Sequence, residues 1–95
     1  MDIINLDRIK EFQSKNPDSA LPLKRWQDIV KSASWRNFQE LHTTFRSADY
    51  FEKKVIFNIG GNNYRLVAVI DYPQQQVIVR SVMTHSEYNK GNWKV

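Results

Sequence analysis

The chain has 95 residues, of which 41% are hydrophobic and 13% aromatic, enough for one core and too little for two, and it holds no cysteine that could form a disulfide or thiolate metal site. Fourteen Lys and Arg against ten Asp and Glu give a net charge of +4, which favours encounter with a polyanion, although a slightly basic solvated surface produces the same count. No apolar run is long enough to span a bilayer and the N-terminus lacks a basic segment followed by an apolar one, so a single cytosolic domain over residues 1–95, with no membrane partner, is expected.

The first half reads as helices. After Asn5, a candidate N-cap, Leu6, Ile9 and Phe12 recur on one helical face until Asn16-Pro17 ends the segment. Pro22 fits an early helical position, and Leu23, Trp26, Val30 and Ala33 follow at helical spacing with Lys24, Arg25, Asp28 and Lys31 elsewhere around the wheel. Asn37 is placed to cap a third segment in which Phe38, Leu41 and Phe45 share a face. These aromatic residues are assigned to the core, because their spacing matches burial.

The second half changes period. Residues 54–59 and 62–71 are rich in Val, Ile, Phe and Tyr and flank Gly60-Gly61, which supplies the positive φ of a two-residue hairpin turn. Pro73-Gln74 turns the chain into a third strand over residues 76–83, giving an antiparallel meander covered by the helices, an α+β fold with the helices first.

With Gly60 and Gly61 as the loop, Ile56 lies opposite Arg65 and Asn58 opposite Asn63, so Asn58, Asn63 and Arg65 share a face that is open or only partly covered. Phe57, Tyr64, Leu66 and Ala68 occupy the other face, under the helices. With Pro73 and Gln74 as the second loop, Val67 pairs with Arg80 and Arg80 joins the Arg65 face; a one-residue slip sends it to the opposite side. His85 and Tyr88 follow this strand at a spacing that, in a helical turn, projects both from one side.

An imidazole, a phenol and two guanidiniums around one phosphate suit metal-independent RNA cleavage. That reaction deprotonates a 2′-hydroxyl, attacks the adjacent phosphate in line and protonates the leaving 5′-oxygen. His85 is the candidate acid or base, Arg65 the candidate clamp on phosphate oxygens with Arg80 adding to it, and Tyr88 stacks a base or positions a proton. The bland alternative is a partly exposed histidine beside a strand end and an arginine on a sheet face that pairs with a carboxylate or with solvent. His42, among helical residues, has no catalytic neighbour and is assigned a structural or exposed role.

The segment Val55-Ile56-Phe57-Asn58-Ile59-Gly60-Gly61-Asn62-Asn63-Tyr64-Arg65-Leu66-Val67, followed by Met83-Thr84-His85-Ser86-Glu87-Tyr88-Asn89, resembles the HigB toxin family, whose pattern reads "FNIGGNxYRLV" and then "THxEYD". The resemblance covers roughly residues 20 to 90. It implies a RelE-like fold and an endoribonuclease that cuts mRNA on the translating ribosome, silenced by a cognate helix-turn-helix antitoxin of the HigA type, with no cofactor and no metal. By position, Arg65, His85 and Tyr88 carry over as its catalytic groups. Asn89 stands where the family often has Asp, and an amide hydrogen-bonds but is no base. Lys53, Lys54, Lys90 and Lys94 are candidate phosphate contacts around the rim, with Asn58 and Asn63 beside Arg65. A non-catalytic module that binds RNA or a partner, and a gyrase-targeting toxin of the same fold, stay open beside the nuclease.

Overall fold

The structure, a computed structural model, describes residues 1–94. A short strand β1 (Asp2–Ile4) leads into helix α1 (Leu6–Lys15), a 3₁₀ turn (Pro17–Ser19), α2 (Ala20–Ser32) and α3 (Phe38–Thr44). Strands β2 (Asp49–Phe51), β3 (Lys54–Ile59), β4 (Tyr64–Asp71) and β5 (Gln76–Thr84) follow, then α4 (His85–Lys90) and a last 3₁₀ turn (Asn92–Lys94). The α+β expectation holds. Among the described residues no helix is long and apolar enough to cross a membrane.

Each helix lies where the apolar spacing put it. Ile9 of α1, Leu23, Trp26 and Val30 of α2 and Leu41 of α3 are buried, with Leu6, Phe12, Ala33, Phe38 and Phe45 packed around them. The Asn37 carboxamide oxygen accepts from the Glu40 N–H at 2.9 Å, as an N-cap does. Asn5 makes no such bond. Its backbone is left-handed (φ 71°), a conformation that Asn tolerates, and its amide instead donates to the Val79 carbonyl at 3.1 Å, tying the start of α1 to β5.

The five strands run in the order β1-β5-β4-β3-β2, antiparallel except for the parallel pair β1–β5. Two of them, β1 and β2, have no counterpart in the expected meander, because three residues are too few to display a period. The helix-facing side is the expected one: Phe57, Leu66 and Ala68 are fully buried there, and Tyr64 packs against them. The Phe57 ring meets Trp26 and Phe45 edge-on, with centroids 5.3 and 5.0 Å away. A side chain buried in this way contributes roughly 1.5–3 kcal/mol, before any gain from the edge-to-face geometry.

The hairpin register departs from expectation. Asn58 pairs with Arg65 and Ile59 with Tyr64, so the loop is four residues, Gly60 to Asn63, and not the two glycines alone. The shift is by two positions, and an even shift leaves every side chain on its predicted face. Gly60 has a φ of +62°, and a Cβ there would stand 3.3 Å from Pro22, so the turn is pressed against the start of α2 where both the backbone and the space call for glycine.

In the next hairpin the expected register runs from Asp71↔Gln76 to Ala68↔Val79, then breaks at a bulge between Val67 and Ala68. Val67 therefore pairs with Ser81 and not with Arg80, which is the extra residue of the bulge. Arg80 is exposed, and as the unpaired residue of the bulge it stands outside the strand's regular alternation. Its carbonyl accepts from the Arg8 guanidinium at 2.8 Å.

Candidate active site on the second face of the sheet

The sheet face away from the helices is not open. Ile56, Val67 and Met83 are buried on it, roofed by Phe51, Tyr88 and Trp93, so α4 and the final turn fold back as a cover over the strands. The chain can make this return because Gly91 adopts φ +79° between α4 and the last turn, a left-handed C-cap.

Arg65 lies under that cover and is only 7% exposed. Its guanidinium donates to the Asn62 carboxamide oxygen at 2.6 Å, the Tyr64 carbonyl at 3.0 Å and the Asn62 carbonyl at 3.3 Å. All three acceptors are neutral, whereas the ion pairs among the described residues, Lys15–Glu11, Lys24–Asp28 and Arg36–Glu40, lie elsewhere on the helices. Among the described residues the charge of this buried cation is thus met by amide oxygens and by no carboxylate. The Tyr88 ring covers it, 5.3 Å from the guanidinium carbon to the ring centroid.

The same turn positions the histidine. The Asn63 carbonyl accepts the His85 backbone N–H at 3.0 Å, so adjacent asparagines hold the two principal candidates, Asn62 the arginine and Asn63 the first residue of α4. Thr84 caps α4 in a full capping box with Glu87: its hydroxyl accepts the Glu87 N–H at 3.2 Å, and the carboxylate accepts the Thr84 N–H at 3.0 Å. Nε2 of His85 lies 3.3 Å from the Asn89 amide nitrogen, and with that amide donating the ring proton sits on Nδ1, which is buried and meets no partner among the described residues. His85 and Tyr88 thus leave one short helix near the Arg65 strand, as their spacing required.

The Thr84 N–H and hydroxyl hold the Glu87 carboxyl below the usual glutamate range, with a smaller pull from Lys90. A carboxylate whose folded pKa is lowered stabilises above its unfolded value, and that stabilisation is lost as pH falls through the folded one. The protection of the amides of residues 85–90, taken as the exchange rate relative to that of an unstructured peptide at the same pH, should therefore fall as the solution is acidified through the carboxylate range, and Glu87→Gln should remove most of this pH dependence. Protection of α4 that stays flat into acid would contradict the cap.

The other candidates scatter. Asn58 is half-buried and directly opposite Arg65 on the same face. Asn63 is exposed in the turn and takes part through its carbonyl. Lys54 pairs with Phe51 at the far end of β3, on the Arg65 face by alternation, while Lys53 lies in the preceding turn beside a groove lined by Tyr50 and Tyr72, away from Arg65. Lys90 is exposed at the end of α4. Lys94 stands over Phe51 and Trp93, 5.3 and 5.7 Å from their centroids. His42 is exposed and packs on Phe38, as expected of a residue outside the site.

Sequence reasoning missed Asn62, Phe51 and Trp93. The Trp93 ring stacks on Tyr88 with centroids 5.0 Å apart and planes 9° off parallel, and its indole N–H donates to the Tyr88 carbonyl at 3.0 Å. A tryptophan just after a glycine near the end of a polar segment was the available signal. Among the described residues no cluster of three or more His, Cys, Asp and Glu side chains is arranged to hold a metal.

A buried cation with no counter-ion among the described residues, a phenol upon it and an imidazole at the adjoining helix start are the kinds of group that phosphate binding and proton transfer use. A family profile described as the RelE-like toxic component of a toxin-antitoxin system matches residues 19–91. The chain is 30% identical over 93 residues to the mRNA interferase HigB of Escherichia coli O6:H1, covering 95% of this chain and 90% of that protein. It is also 30% identical over 92 residues to the mRNA interferase toxin HigB of Escherichia coli K12 and to the mRNA interferase HigB of Shigella flexneri, covering 94% of this chain and 88% of each. The chain belongs to the HigB family of RelE-like toxins.

Proposed function

We propose that this toxin is an endoribonuclease that cuts mRNA on the translating ribosome without a metal ion. We take its cellular site to be the cytosol and its silencer to be a cognate helix-turn-helix antitoxin. The observation that carries this reading is the buried Arg65, held by neutral oxygens and adjoining the helix that His85 begins. The naming of the relatives as mRNA interferases supports it.

In the proposed reaction His85 exchanges a proton with the 2′-hydroxyl or the leaving 5′-oxygen, and Arg65 stabilises the charge that builds on the phosphate oxygens. Tyr88 covers the guanidinium, so the phosphate reaches Arg65 as that ring turns aside, and the phenol then faces a base or a proton in transit. Asn89 orients the imidazole through its amide. Asn58 and Arg80 flank the site, and Asn63, Lys54, Lys90 and Lys94 contact the RNA backbone along its rim, whereas Lys53, beside the Tyr50–Tyr72 groove, stands apart from it.

The coverage of Arg65 favours one other reading, a module that binds RNA or a partner without cutting it. Induction of the wild-type chain in a bacterium lacking the antitoxin, with mapping of new mRNA 5′ ends, separates them. The nuclease predicts growth arrest with new ends in translated regions. Arrest with intact mRNA would overturn it and promote the binding reading, to be sorted from a gyrase target by a supercoiling assay.

A further inference from the structure

A cavity of about 370 Å³ opens between β5 and the C-terminal turn, within the range of about 300–1,000 Å³ typical of small-ligand sites. Ser81, Val82 and Met83 line it, Trp93 forms one side, and Asn92, Lys90 and Glu87 complete it. It adjoins the Arg65 site through the Tyr88–Trp93 stack.

We infer that this cavity is a nucleobase pocket, taking one base of the RNA beside the phosphate that Arg65 holds; in that placement it rests on the nuclease reading. The half-buried indole of Trp93, which already stacks on Tyr88, offers a planar heterocycle polarisable, apolar contact, with the small exposed part of Met83 beside it. Asn92 makes no hydrogen bond to another side chain or to the backbone within the described residues, so its amide has both a donor pair and an acceptor free for a base edge. The Glu87 carboxylate receives its bonds from Thr84 on one oxygen, Oε1, which leaves Oε2 to accept from a base N–H. Lys90 at the mouth and Lys94 against Trp93 supply cations for the flanking phosphates. An acidic peptide would use those cations, but the aromatic side and the free amide suit a base better.

Trp93 itself reports the test. Trp26 and Trp35 are buried, at 2% and 5% exposure, whereas Trp93 is half-buried beside the cavity, so added solutes quench Trp93 in preference to the other two. The full chain is titrated with each nucleoside 5′-monophosphate and with ribose 5-phosphate. Saturable quenching by at least one nucleotide and none by ribose 5-phosphate is expected, with the signal absent in Trp93→Phe. Asn92→Ala, which keeps the reporter and removes no bond of the fold, should weaken nucleotide binding about five-fold or more or reorder the four nucleotides. No saturable quenching by any nucleotide, equal quenching by ribose 5-phosphate, or an Asn92→Ala titration indistinguishable from wild type would overturn the pocket. These results are independent of cleavage. Quenching in a chain that leaves mRNA intact would sink the nuclease and keep the pocket, and cutting by a chain whose Trp93 is unmoved would do the reverse.

Discussion

Arg65→Ala is expected to lower the rate of mRNA cleavage by about 10²–10³, the usual cost of removing one donor aimed at charge that develops in a transition state. The substitution also removes the guanidinium's bonds to Asn62 and Tyr64 and empties a buried site, and since Asn62 is exposed and its oxygens can turn to water, only a modestly lower melting temperature accompanies it. Asn62→Ala separates the two effects, since it removes the carboxamide contact and keeps the guanidinium, still bonded to the Asn62 and Tyr64 carbonyls. It should share the stability loss and keep most of the rate. Arg65→Lys keeps a charge without the planar fork that reaches Asn62 and Tyr64 together, and should fall between. Cleavage by folded Arg65→Ala within a few-fold of wild type, on ribosome-bound mRNA, would remove Arg65 from the chemistry and leave it a staple for the Gly60–Asn63 turn.

His85→Gln should cost about 10²–10⁴ in the same assay, the span that a positioned acid or base supplies. Glutamine retains a polar side chain near Asn89 and a helix start capped by Thr84, so the fold should be unchanged by circular dichroism and melting. Asn89→Ala should cost less, about ten-fold, because it removes only the group that orients the ring. A His85→Gln chain that still arrests growth and produces the same 5′ ends would move the acid or base to another residue, and Tyr88 is then the first to test.

Much of this molecule is legible in the order of its residues. Apolar spacing alone located α1, α2 and α3, and strand alternation put Phe57, Leu66 and Ala68 on the buried face and Arg65 on the other, because a period is a local property that burial reads directly. The face assignment even survived a wrong loop length, since the slip was of two residues. The spacing of His85 and Tyr88 likewise became one short helix, with Thr84 and Glu87 as its written cap.

What local pattern could not decide was everything that depends on a distant partner. The bulge that takes Arg80 out of register with Val67, the three-residue strands at both sheet edges, and the turn of Asn5 toward Val79 arise from contacts across the fold. Chief among these is the cover. Nothing in the β4 pattern says that the face bearing Arg65 is closed, because the closing groups, Tyr88 and Trp93, stand more than twenty residues later in the chain and reach it only when Gly91 turns the last segment back. The sequence by itself determined which residue types face which way; the tertiary structure decided that the arginine is buried beneath a stack of rings, with no counter-ion among the described residues, since burial is a property of what packs on a residue and not of the residue's neighbours along the chain.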